Sequence, residues 1–168
     1  MNSNIYLSPH FKQKEFTKSR TARQHGIDNT PPPEAVENLR ALCIHTLEPL
    51  RESLGLPIII TSGYRCKVLN ERITHHSATS QHMSGNAADF YVDDATGSCG
   101  LSRRERLIKA FRTIILDEEI EFDQLIIYPD FIHVSYVREG RKNRNKLTKA
   151  DGRGGYRALT LEEALALV

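Results

Sequence analysis

The chain has 168 residues, of which 39% are hydrophobic and 26% charged, as is typical of a single globular domain rather than a disordered or fibrous protein. Lys and Arg number 23 against 21 Asp and Glu, a near balance that argues against nucleic acid as the partner. No apolar run approaches the ~18–20 residues that a membrane-spanning helix needs, so we expect no insertion into a membrane.

A long amphipathic helix is predicted early in the chain. Residues 34–54 carry apolar side chains at steps of three and four, after the prolines at 31–33. Pro49 falls inside this pattern, and we expect a kink or a break there, because proline cannot donate the helical hydrogen bond.

Short strands and further helices follow, and their order predicts an α+β fold. We expect one domain with a small antiparallel sheet and flanking helices. In the last predicted strand, alternation places His133 on the face opposite Ile132 and Val134. The predicted strands are 58–61, 87–92 and a hairpin of 124–128 with 131–136 around Pro129-Asp130; the predicted helices are 66–73, one capped by Ser102 and one begun by the capping box Thr160–Glu163.

The segment 138–153 is basic, with seven Lys or Arg against Glu139 and Asp151. We interpret it as a solvated loop, while a surface that attracts an anionic polymer is the functional alternative. We therefore divide the chain into a main domain, 1–137, and a basic loop with a short C-terminal helix, 138–168, packed on the same domain.

The first residues contain neither a basic nor an apolar segment, so we expect no secretory signal and synthesis in the cytoplasm. The cysteines Cys43, Cys66 and Cys99 are odd in number and far apart in sequence. We expect three reduced thiols rather than a disulfide framework or a Cys-x-x-Cys zinc site.

Two histidines and one aspartate have a spacing that suits a metal site. His82 lies in a polar loop, Asp89 on the next strand and His133 in the hairpin. Asp89 and His133 come within ligand reach if they face the same side of neighbouring strands, and three protein ligands leave a fourth tetrahedral position open, as in a catalytic zinc site. Each residue alone is more often structural, and seven histidines offer many accidental triads. Spacing alone therefore leaves both interpretations open.

Several motifs in order resemble one enzyme family. Residues 80–89 match Ser-x-His-x-x-Gly-x-Ala-x-Asp at every fixed position, and Asp130 stands three residues before His133. Ser-Gly-Tyr-Arg at 62–65, Asn70 and the segments 22–50 and 122–126 extend the likeness over residues 16–136. The chain thereby resembles the zinc D-Ala-D-Ala carboxypeptidases and L-Ala-D-Glu endopeptidases, which cut bacterial cell-wall peptides.

The resemblance implies a role for each matching residue. His82, Asp89 and His133 correspond to the ligands of one zinc ion per chain, in a cleft of the domain. Asp130 corresponds to the general base and Arg65 to the arginine that stabilises the tetrahedral intermediate. Ser80 corresponds to a residue that binds substrate near the metal.

One segment departs from the family pattern. Relatives often carry a Gly-Gly pair upstream of the Ser-x-His motif, where this chain reads Thr74-His75-His76-Ser77. We expect His75 and His76 to be loop residues that face the substrate rather than metal ligands.

The resemblance implies a zinc-dependent hydrolase of peptidoglycan stem-peptide bonds, of the L-Ala-D-Glu endopeptidase or the D-Ala-D-Ala carboxypeptidase type. We expect a monomer that acts at the cell wall after release or export, as a phage-derived lysis enzyme (an endolysin) does. The alternative is a zinc-containing cell-wall binding module without turnover, although such a module would need neither Asp130 nor Arg65. A nucleic-acid-binding domain rests only on the basic segment 138–153, and we do not expect one.

Overall fold

The computed structural model describes residues 5–73 and 77–168 as a six-stranded sheet with helices packed against it. The strands are β1 (Ile58–Ser62), β2 (Ala87–Val92), β3 (Gln124–Ile127), β4 (Ile132–Ser135), β5 (Lys146–Ala150) and β6 (Tyr156–Ala158). The α-helices are α1 (Gln13–Thr17), α2 (Arg20–Gln24), α3 (Pro33–Leu42), α4 (Glu48–Leu54), α5 (Lys67–Glu71), α6 (Arg103–Leu116) and α7 (Leu161–Leu165). Within the described ranges, no helix is long and apolar enough to span a membrane. The predicted α+β class is confirmed.

The helix predicted at 34–54 is present but irregular. A π-helical turn, Cys43–Leu47, joins α3 to α4, and the amide of Glu48 donates to the carbonyl of Cys43. Pro49 follows directly, in the first turn of α4. The irregularity therefore lies just before the proline. The wider turn accommodates the proline ring and the missing amide hydrogen.

The sheet has the strand order β1-β2-β4-β3-β5-β6. The predicted hairpin is confirmed, with β3 and β4 antiparallel and Ile127 opposite Ile132. Strand β2 lies on the other side of β4, and Asp89 is paired with His133. The face that carries Phe90, Ile132 and Val134 is buried in the main hydrophobic core, while Asp89 and His133 occupy the opposite face.

The basic segment is a largely exposed loop over residues 138–145, but residues 146–150 form a strand, so the interpretation as a solvated loop was wrong for its second half. Residues of this segment form β5, which pairs with β3 in parallel, and β6 pairs with β5. Thr148 and Ala150 are buried, whereas Lys146 and Lys149 are exposed. Two buried positions among charged neighbours are too weak a pattern to predict a strand from sequence. This strand is stabilised mainly by its pairing with β3, which the local sequence does not encode.

Candidate metal centre

Three ligand atoms converge on the polar face of the sheet. The distances are 2.8 Å from Nδ1 of His133 to Oδ1 of Asp89, 3.3 Å from Nε2 of His82 to the same oxygen, and 3.2 Å between the two histidine nitrogens. Among the described residues, this is the one group of three or more His, Cys, Asp or Glu side chains placed to hold a metal ion together. The three residues selected by their spacing in the sequence therefore lie together in the fold.

Asp89 and His133 are positioned by strand pairing. They lie directly opposite each other on the antiparallel strands β2 and β4. Side chains at paired positions project from the same face of a sheet, with Cβ atoms about 4.5–5.5 Å apart. The register of one strand pair therefore places two of the three ligands.

His82 arrives from a 3₁₀ turn, Gln81–Ser84, that precedes β2. Gly85 ends this turn in the left-handed conformation, with φ of +75°. A Cβ atom at Gly85 would lie 2.4 Å from the carbonyl oxygen of Ala35, so a side chain there would collide with α3. The glycine lets the loop bring His82 against the sheet while packing tightly on that helix.

The orientation of the His82 ring is set by its second nitrogen. Nδ1 lies 2.6 Å from the carbonyl oxygen of Gly63, an atom that can only accept, so Nδ1 donates and Nε2 presents its lone pair to the cluster. The side chain is buried, and burial lowers the pKa of His82 despite the opposing effect of Asp89. A neutral imidazole is the form that binds a metal ion.

Asp89 is held as a carboxylate. Burial alone would raise the pKa of Asp89, but the charge and hydrogen bonds of His82 and His133 outweigh it and hold the pKa far below its ordinary value. The site therefore offers one anionic oxygen and two histidine nitrogens.

These distances fit a tetrahedral metal ion. Ligand atoms at about 2.0–2.1 Å from zinc lie about 3.3–3.4 Å from one another along the edges of a tetrahedron. The three observed separations of 2.8, 3.2 and 3.3 Å are close to such edges. An ion could bind with small adjustments of the side chains, and a fourth position would remain for a further ligand.

The other residues singled out in the sequence line the same cleft. Arg65, Ser80 and Asp130 border a cavity of about 870 Å³ together with the three ligands. Nη2 of Arg65 lies 3.5 Å from Oγ of Ser80, and its Nε is buried with no hydrogen-bond partner in the described contacts. Asp130 is exposed in the turn between β3 and β4, and its backbone carbonyl accepts a hydrogen bond from Arg103. The structure brings these residues together, while their roles remain predictions.

A sequence model of the family described as Peptidase M15 matches residues 9–135. The chain belongs to the M15 peptidase family. This membership agrees with the resemblance read from the sequence motifs, and it makes the His82, Asp89 and His133 cluster the candidate metal centre of a metallopeptidase. A search of curated proteins found no significant match to this M15 chain.

The predictions for the histidine pair and for the cysteines of this M15 peptidase have different outcomes. His75 and His76 lie outside the described residues, so their loop assignment stays a prediction. Cys43 is buried and Cys66 and Cys99 are half-buried, all three as free thiols. None of them belongs to the ligand cluster, as the sequence predicted.

The sequence reasoning missed one polar assembly beside the metal centre. Asp123 is buried immediately before β3, and its carboxylate accepts hydrogen bonds from the side chains of Arg141 and Arg144 of the basic segment. Gln81, the neighbour of His82, also donates to Asp123, over 3.0 Å. The sequence does place an aspartate next to a strand of apolar residues. Its partners Arg141 and Arg144 lie too far along the chain for the sequence to predict the pairing.

Proposed function

We propose that this M15 peptidase is a zinc-dependent hydrolase of peptidoglycan stem-peptide bonds, of the endopeptidase or the carboxypeptidase type. The observation that carries the proposal is the convergence of a three-ligand metal cluster with Asp130 and Arg65 in one cleft. The motif resemblance to wall peptidases supports the substrate class.

The donor set suits zinc. Two imidazole nitrogens and one carboxylate oxygen are ligands of catalytic zinc sites, which keep a fourth position for water or substrate. When bound there, zinc acidifies water and polarises the carbonyl of the scissile bond.

Asp130 is the group we assign to proton transfer. Its carboxylate takes a proton from the attacking water and returns it to the nitrogen of the leaving amine, so the proton count balances over the reaction. Its place in the turn before β4 puts it three residues from His133 and on the cleft wall.

Arg65 and Ser80 act on the substrate in this scheme. The guanidinium of Arg65 stabilises the negative charge that develops on the carbonyl oxygen of the scissile bond, an effect worth roughly 3 kcal/mol for a fixed donor in a sheltered site. Arg65 is half-buried, and its backbone amide donates to the carbonyl of His82, which ties it to a ligand residue. Ser80 contributes a hydroxyl for hydrogen bonding to the substrate.

Digestion of purified peptidoglycan by the metal-loaded protein tests this function. Mass spectrometry of the products should reveal new termini, either a free amine on D-Glu or released D-Ala, and these two outcomes separate the endopeptidase from the carboxypeptidase. The control is the same protein after removal of the metal by a chelator, which should be inactive and should recover on addition of Zn²⁺. Metal-loaded protein that leaves every peptidoglycan chemotype intact would instead favour a non-catalytic wall-binding module.

A further inference from the structure

Asp123 organises two arginines on the wall of the cleft. The Asp123 side chain is fully buried, with an exposed fraction of 0%. Its Oδ1 accepts from Nη1 of Arg141 over 2.5 Å, and its Oδ2 accepts from Nη2 of Arg144 over 2.5 Å. The backbone amide of Arg144 also donates to Oδ1 over 3.0 Å. These contacts fix both guanidinium groups relative to the sheet.

The two arginines still face solvent. Their side chains are 42% and 47% exposed, and both border the cavity that contains the metal ligands. In the described contacts, Nε of Arg141 and Nη1 of Arg144 have no hydrogen-bond partner. Guanidinium groups held in place on the border of a cleft are an arrangement that binds an anionic group with little loss of side-chain entropy.

The basic wall of the cleft, formed by Arg141, Arg144 and Lys146, carries more positive charge than the single negative charge of Asp123 neutralises. One carboxylate compensates one of the two arginines, and Lys146 adds a third cation on the same cavity wall. Lys146 is exposed and forms no ion pair within the part of the chain that the structure describes. The remaining acidic groups of this cleft are Asp89, which belongs to the ligand set, and Asp130.

The basic wall lies beside the metal centre. Gln81 donates to Asp123 over 3.0 Å, and the next residue in the chain is the ligand His82. Gln124, which follows Asp123, also borders the cavity. The arginines and the candidate metal ligands therefore border one cavity, so one substrate molecule can contact both.

We infer that Arg141 and Arg144, held by Asp123 and assisted by Lys146, form a subsite for a free carboxylate of the substrate. Planar guanidinium groups bind a carboxylate through two parallel hydrogen bonds, and stem peptides carry free carboxylates next to their peptide bonds. The inference rests on the proposed function and narrows it, because it predicts a preference for stem peptides with unmodified carboxylates.

The test compares peptidoglycan with free carboxylates and the same material after carbodiimide-mediated amidation. For the metal-loaded wild type, kcat/KM should be at least about 10-fold higher on soluble stem peptides with free carboxylates than on the amidated stem peptides. This is the size expected for hydrogen bonds between charged groups. The Arg141→Gln/Arg144→Gln variant should lose this preference, mainly through a higher KM on the free form. Lys146→Gln should reduce the preference in part, and it leaves the partners of Asp123 intact, so it keeps the test valid if the double variant fails to fold.

Lys142→Gln is the matched control. It removes one positive charge from the same segment, and its exposed side chain is not among those that border the cleft. Its preference for free carboxylates should equal that of the wild type.

Co-sedimentation with intact sacculi gives a second readout that needs no turnover. The metal-loaded wild type and Lys142→Gln should bind native sacculi at least several-fold better than amidated sacculi, and the Arg141→Gln/Arg144→Gln variant should lose the difference. If hydrolysis is absent but this binding pattern holds, the proposed function fails and the subsite stands. If stem peptides are cleaved equally well with free and with amidated carboxylates, or if the double variant keeps the preference, the subsite is overturned and the proposed function stands.

Discussion

The carbonyl oxygen of Gly63 lies 2.6 Å from Nδ1 of His82, so the residue that follows β1 orients a side chain of the candidate metal cluster. The glycine is required there, because a Cβ atom would lie 2.6 Å from backbone and side-chain atoms of Phe16. The packing of α1 against β1 thereby determines where this carbonyl points.

Gly63→Ala should weaken metal binding about 10–100-fold, as is usual when the outer hydrogen-bond partner of a ligand is displaced. It should also destabilise the fold by roughly 1–3 kcal/mol, since the clash with Phe16 can be relieved only by moving backbone. Metal affinity by competition with a chelating dye and thermal unfolding measure both effects. The control is Gly97→Ala. A Cβ atom at Gly97 meets nothing within 4 Å, but φ of +66° makes alanine destabilising there as well, so the two variants are compared by metal affinity and not by stability. Equal loss of metal affinity in the two variants would show that Gly63 has no special role.

Removal of a ligand histidine should remove the metal. Elemental analysis of the wild type should find about one equivalent of zinc per chain, and His133→Ala should retain little of it. His45→Ala is the control, since His45 stacks on Tyr136 and takes no part in the cluster. Loss of the metal from a His75→Ala/His76→Ala variant that still carries His82, Asp89 and His133 would prove the ligand assignment wrong.

Asp130→Asn should separate catalysis from metal binding. The amide keeps the shape of the side chain but cannot take a proton, so wall hydrolysis should fall roughly 10²–10⁴-fold while zinc content stays the same. Thermal stability should change little, because Asp130 is exposed and its backbone carbonyl bond to Arg103 is retained. Asp93→Asn is the matched control outside the cleft. Wild-type hydrolysis rates in a zinc-loaded Asp130→Asn protein would end the general-base assignment.

Asp123→Asn should destabilise the fold in a pH-dependent way. Burial opposes ionisation of Asp123, but hydrogen bonds from Arg141 and Arg144 prevail and hold its pKa well below the ordinary value. A depressed pKa in the folded state gives stability that is complete above the unfolded pKa of about 3.9 and is lost as the pH falls below it. We expect a difference in the free energy of unfolding of roughly 2 kcal/mol, unchanged between about pH 7 and 5 and shrinking below about pH 4.

Urea denaturation of the wild type and of Asp123→Asn across this pH range measures that difference. Asp93→Asn again serves as the control, and it should destabilise the fold less than Asp123→Asn does at neutral pH. A gap that widens on acidification would contradict the assigned direction of the pKa shift.

Local patterns in the sequence predicted most of the elements, and the motif order predicted the three residues that cluster at the candidate metal centre. Apolar spacing predicted the helix around residues 34–54, and alternation predicted that His133 faces away from Ile132 and Val134. Both depend on helical or strand periodicity, which a short stretch of sequence carries by itself. The ligand assignment followed from motif order, and the register of β2 and β4 agrees with it.

Tertiary structure alone decided how the surroundings of the metal centre are built. The Gly63 carbonyl, the Asp123 assembly and the parallel pairing of β5 with β3 each join segments that are far apart in the chain. No local periodicity encodes such contacts, because they form only when distant segments pack together and buried polar groups must find partners there. The basic segment therefore looked like a solvated loop in the sequence, whereas in the fold it completes the sheet and supplies the charged wall of the cleft.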